Sequence, residues 1–157
     1  MSVAGVLAAA CLLASCTSAS SGSRHTLYDS IDALAADSSA IVVGAVGLQR
    51  TDGDATISSI LVESAPTNPQ LGAAVEGGAS TIEPGDVIDV RQTTDPRLVR
   101  GAQYALFLTP TMLPGDAATQ YFVTGAVAGI YVRDGDEFRR VVRDSGDTLP
   151  ETMQIAD

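Results

Sequence analysis

Hydrophobic and polar residues alternate with a period of two over most of the chain after residue 40. In the segment 87–91, Ile88 and Val90 point to one side and Asp89 and Arg91 to the other, which is typical of a half-buried strand. Seven short strands at this spacing predict a mostly β domain, a small barrel or sandwich. Besides 87–91, the predicted strands are 41–48, 56–62, 103–109, 121–124, 129–132 and 138–142.

A helical period precedes the strands. Leu27, Ile31 and Leu34 follow one another at helical spacing, which predicts one short helix over residues 26–37. Thr26 or Asp29 is the expected N-cap, because an oxygen side chain at that position accepts an unpaired backbone N–H.

Two segments interrupt the strand pattern. Residues 64–86 contain three prolines and four glycines and are too long for an ordinary connection. We expect an irregular, exposed loop there that shapes any surface for a partner. Residues 144–157 are mostly polar and acidic, and they predict a flexible C-terminal tail.

The N-terminus carries a targeting signal. Residues 3–14 are apolar and uncharged, and a helix of that length spans roughly 18 Å of a ~30 Å bilayer core, so a secretory signal is favoured over a membrane-spanning anchor. The run ends in Leu13-Ala14-Ser15-Cys16, which resembles the bacterial lipobox. That resemblance implies cleavage between Ser15 and Cys16 and a diacylglycerol on the Cys16 thiol. The alternative is an ordinary signal peptide that is cut after Ala14 or Ser15.

These segments give a domain organisation. We expect a lipoprotein signal peptide at 1–15, a lipidated tether at 16–25, a β-barrel domain at 26–143 and the tail at 144–157. The protein is then held on the extracytoplasmic face of the cell membrane by its lipid. Cys11 leaves with the signal and Cys16 carries lipid, so the mature domain has no thiol for a disulfide.

The charge balance excludes whole classes of partner. The chain has 19 acidic residues against 9 basic ones, a net charge of -10. Nucleic acid phosphates and anionic lipid headgroups repel such a protein, so it is not expected to bind nucleic acid or to hold a membrane surface by charge.

Few residues are suited to catalysis or to metal binding. His25 is the single histidine and lies in the tether, so a Ser-His-Asp set is not expected, and no lysine is present to replace it. No cofactor or metal is expected. The two acidic turns, at 52–54 and 134–137, are weak candidates for calcium, with solvated hairpin turns as the simpler interpretation.

Arginines cluster on the last predicted hairpin. Arg133, Arg139 and Arg140, with Arg143 beside them, are candidate binding residues for an anionic ligand such as a wall phosphate. The alternative is cross-strand pairing with neighbouring carboxylates. The aromatic residues are assigned to core packing, with a pocket lining as the alternative; they are Tyr104, Phe107, Tyr121, Phe122 and Tyr131.

The order of the apolar segments resembles known domains. Over residues 30–142, the runs beginning at Ile41 (IVVGAV), Pro84 (PGDVIDV) and Gly101 (GAQYALFL) are similar to uncharacterised bacterial surface lipoproteins, mostly actinobacterial and firmicute. They also distantly resemble netrin-like domains, the OB-type barrels of tissue inhibitors of metalloproteinases. The resemblance implies a small OB-like barrel of five to seven strands with one short N-terminal helix.

The chain departs from netrin-like domains in ways that bear on activity. Netrin-like domains are cross-linked by disulfides. The metalloproteinase inhibitors among them use a free N-terminal cysteine to chelate the zinc of their target, whereas the corresponding cysteine of this chain is expected to be acylated. Inhibition is therefore not expected. We expect a non-enzymatic lipoprotein that binds a protein or a cell-wall component. The alternatives are an envelope hydrolase using carboxylates or a metal, and a passive envelope protein.

Overall fold

Five strands close into a barrel in the computed structural model, which describes residues 26–66 and 82–155. The strands are β1 (Ala40–Asp52), β2 (Ala55–Ser64), β3 (Val87–Gln92), β4 (Gln103–Pro110) and β5 (Tyr121–Val123). Their order is β1-β2-β3-β5-β4, and β4 pairs back with β1. β3 and β5 are parallel, while the other barrel pairs are antiparallel. The predicted small OB-like barrel is confirmed.

Strands β1 and β4 are apolar on both faces because each face meets a different core. Val42 of β1 and Leu106 of β4 point into the barrel. Val43 and Phe107 point outward into a second cluster, which forms beneath the helix and the C-terminal segment. Both faces of β4 and of the first half of β1 are therefore largely removed from water, which explains the continuous apolar runs in the sequence.

The helix α1 (Ile31–Ala36) is shorter than the predicted one. Ser30 caps it, since its side-chain oxygen accepts the N–H of Ala33 at 3.2 Å, so neither predicted cap was right. Leu27 lies outside the helix and is 63% exposed. The backbone of Tyr28 is instead extended along the C-terminal segment, where its N–H donates to Asp147.

Three further strands extend the sheet from β4: β6 (Ile130–Asp134), β7 (Glu137–Arg140) and β8 (Thr152–Met153). The predicted turn between β6 and β7 is present, and Gly135 adopts the left-handed conformation that this tight turn requires, with φ at 64°. A short 3₁₀ helix, Gly115–Thr119, was not predicted.

The C-terminal segment is ordered, so the prediction of a flexible tail from residue 144 was wrong over residues 144–155. Leu149 is buried in the second cluster and β8 pairs with β7. The N–H of Thr148 also donates to the carbonyl of Tyr28 at 2.8 Å. The C-terminal segment is therefore part of the folded domain, and it covers the outer face of β6 and β7.

Several predictions fall outside the described residues. They are the signal peptide 1–15, the tether 16–25 with Cys16 and His25, and the centre of the 64–86 connection, residues 67–81. That connection spans residues 65–86, since β2 ends at Ser64 and β3 begins at Val87, so its end was predicted and its start lies one residue later than predicted. No helix within 26–66 and 82–155 is long and apolar enough to cross a bilayer.

Candidate functional site

The arginines of the β6–β7 hairpin do not converge on one site. Arg139 and Arg140 are successive strand residues and point to opposite faces of the sheet. Arg139 forms an ion pair with Asp134, and the Arg133 guanidinium lies 5.0 Å from the centre of the Phe138 ring. The predicted cross-strand pairing is therefore present for Arg139.

Arg140 is an interior residue, exposed by only 5%. Its guanidinium donates to the carbonyl oxygens of Arg143, at 2.5 Å, and Asp147, at 3.4 Å. Its Nε is buried without a hydrogen-bond partner. Tyr131 pairs with it across the strands, and burial raises the pKa of that phenol to about 12. Arg140 therefore ties the C-terminal segment to the sheet instead of facing a ligand in solvent.

The acidic turns also contact arginines. Asp52 accepts a hydrogen bond from Arg91 at 2.6 Å, and Asp134 pairs with Arg139. Within the described part of the chain, no three histidine, cysteine or carboxylate side chains lie close enough to hold a metal ion together.

Ion pairs cover the outer face of strands β2 and β3, the face through which OB folds commonly bind their ligands. Arg50 reaches Asp89 at 2.7 Å, and Arg91 reaches Asp52 in the opposite direction. Ile57 pairs with both arginines across the strands and is fully buried between them. The ion pairs thus cover Ile57, whereas Leu61 and Val87, which pair with each other at the other end of this face, remain exposed.

The Arg50–Asp89 pair predicts a specific loss of stability in acid. The hydrogen bond from Arg50 holds the pKa of Asp89 below its ordinary value of 3.8, and that from Ser59 acts in the same direction. A carboxyl whose folded-state pKa is lowered stabilises the fold above its ordinary pKa, and the contribution is lost as the pH falls through the lowered value. Asp89→Asn should therefore flatten the decline in melting temperature below about pH 4. Asp136→Asn, on the exposed β6–β7 turn, is the matched control, and an equal effect of both changes would contradict this assignment.

A mostly apolar groove of about 630 Å³ lies on the outer face of the sheet. Ile41 of β1 and Phe107 of β4 are cross-strand neighbours in its lining. The other residues come from α1, from both ends of the β2–β3 connection and from the C-terminal segment: Ile31, Ser64, Ala65, Pro66, Pro84, Met153, Gln154 and Ile155. No lining residue is ionisable, and the volume is that of a site for a small ligand or a short peptide.

Sequence reasoning missed this groove. Met153 and Ile155 were assigned to the flexible tail, although both line the groove and pack against the second cluster. The signal that could have found them is the set of apolar residues Leu149, Met153 and Ile155 in an otherwise acidic segment.

The predicted aromatic residues divide between packing and pocket. Tyr104 and Tyr131 are buried core residues, as expected. Phe107 is buried too, but its edge lines the groove. Phe122 lines a second, smaller cavity of about 140 Å³ beside Arg91.

Known proteins give no family assignment for this chain. No family model matches the sequence, and no curated protein matches it at a significant level. The lipoprotein and netrin-like resemblances therefore rest on the sequence motifs alone.

Proposed function

We propose that this protein is a lipid-anchored, non-enzymatic binding module on the extracytoplasmic face of the membrane, and that it takes a protein or a cell-envelope component into the apolar groove. The groove is the observation that carries the proposal. It is open, uncharged and preformed, and its lining joins four separate parts of the fold. Exposed apolar surfaces of this kind are typical of interaction sites.

The lipobox supports the membrane location. Acyl chains on Cys16 supply about 0.8 kcal/mol for each buried methylene, and two or more chains give stable anchoring. The anchor would also raise the local concentration of the groove near membrane-bound partners.

Photo-crosslinking in cells tests the proposal. A photoreactive residue replaces Met153 in the groove or, as the matched control, Leu48, which is 69% exposed on β1. We expect a discrete covalent adduct from position 153 and none from position 48. If neither position, or both equally, yields an adduct, the groove is not the binding surface.

The same strains test the anchor. The unaltered chain should label with a fatty-acid probe and partition into detergent, whereas Cys16→Ala should do neither. The amount of adduct from position 153 should decrease in Cys16→Ala, because the protein is then no longer held at the membrane near its partner. Fatty-acid labelling of Cys16→Ala would contradict the lipoprotein assignment.

A further inference from the structure

The edge of the sheet beside the groove indicates which chemical class of partner the groove binds. We propose that the groove binds an extended peptide, which adds to the sheet as a strand beside β8; this inference rests on the proposed function. Every second residue of the peptide is apolar, and arginine or lysine flanks the apolar part. Three features of this region lead to that partner: a strand edge, an apolar floor and an acidic rim.

The strand edge comes from β8. It is the last strand in the sheet order and pairs with β7 on one side. Among the described residues no strand pairs with its other side. The chain continues from β8 through Gln154 and Ile155, both of which line the groove. An edge of this kind offers backbone N–H and C=O groups to an incoming strand, which is the basis of peptide recognition by strand addition.

The apolar floor fits one face of such a strand. Side chains of an extended peptide alternate between its two faces, so every second residue would enter the groove. Ile41 and Met153, both only partly buried, would gain cover from those side chains. Burying this surface would supply the main favourable free energy of binding.

Exposed carboxylates that neighbour the groove lining in the sequence, here called the acidic rim, make the expected partner basic. Asp32 follows Ile31 of the groove, and Glu83 and Asp86 lie on either side of Pro84. All three carboxylates are exposed, and none forms an ion pair with an arginine of the described residues. With a net charge of -10 on the whole chain, this rim would attract cationic groups at the ends of a bound peptide.

The test uses the full chain in mild detergent and a synthetic nine-residue probe, in which three valines alternate with two threonines between two arginines at each end. Fluorescence anisotropy should show saturable binding that weakens as salt is raised. Two control probes should each bind at least about tenfold more weakly. One has N-methylated backbone amides and cannot donate the hydrogen bonds of strand pairing. The other has glutamate in place of arginine and is repelled by the carboxylates.

Variants locate the binding. Ile155→Asp should weaken binding of the probe at least about tenfold. Its melting temperature, measured in parallel, should fall by a few degrees and stay well above the temperature of the binding assay, because Ile155 is only partly buried against the second cluster. Leu48→Asp introduces the same charge on an exposed part of β1 and should leave binding unaltered. Asp32→Asn combined with Glu83→Gln should reduce the dependence on salt.

Three results would overturn the peptide proposal. Equal binding to Ile155→Asp and to the unaltered chain would place the probe elsewhere. Binding that appears only after residues 67–81 are replaced by a glycine-serine linker would mean that the chain covers its own groove. Absence of binding in both forms would exclude this class of peptide. In each case the cellular crosslink from position 153 still decides separately whether the groove binds any partner.

Discussion

A chain that ends at residue 143 should lose about 5 kcal/mol of unfolding free energy relative to the full protein. Leu149 is only 6% exposed, and removing it returns its partners in the second cluster to water. Arg140 would lose the carbonyl of Asp147 and keep a buried guanidinium with fewer acceptors, which is among the most costly changes in a protein interior.

Urea unfolding followed by circular dichroism measures this loss. The matched control removes only residues 156–157 and should unfold at the same urea concentration as the full chain. The point substitution Leu149→Ala should account for about 2–3 kcal/mol of the total. If the chain ending at residue 143 unfolds together with the control, the C-terminal segment does not stabilise the fold.

Gly44→Ala should also be strongly destabilising, by about 3 kcal/mol. Gly44 lies where the register of β1 against β2 shifts and where β1 also pairs with β4 to close the barrel. A Cβ added there would lie 2.5 Å from the carbonyl oxygen of Leu61 and 2.7 Å from a side-chain carbon of Ile60. The obstructing oxygen belongs to the backbone, so the two strands themselves would have to separate.

Gly47→Ala is the control for this substitution. Gly47 lies on the same strand, three residues further on, and its added Cβ would meet only the carbonyl oxygen of Ser59 at an ordinary 3.5 Å. We expect its melting temperature to stay close to that of the unaltered protein, and equal destabilisation by both changes would show that close approach at Gly44 is not the cause.

Most of the fold was predictable from local patterns, since strand periodicity and turn residues are properties of neighbouring residues. The run from Ile88 to Arg91 forms a strand as predicted, and so does the run ending at Pro110. The start of the helix was not predictable in the same way, because Tyr28 is held extended by Asp147, 119 residues away in the sequence. No local signal encodes that contact.

The candidate site was less predictable than the fold. The arginine cluster is conspicuous in the sequence, yet Arg140 points into the protein and Arg139 away from it. The groove depends on a strand of only two residues, β8, whose order comes from pairing with β7. Met153 therefore becomes part of a surface only through a tertiary contact, which periodicity cannot show.

The hydrogen bond between Tyr28 and Asp147 also sets the order in which the domain is completed. Synthesis delivers the segment around α1 first, and the residues that cover it arrive more than a hundred residues later. Until then, Tyr28 and Leu34 remain exposed on an unfinished domain. Such distant contacts slow folding, because the chain closes a long loop before they form. The second cluster can therefore be completed only after residues 147–149 have been synthesised, when nearly the whole domain is present.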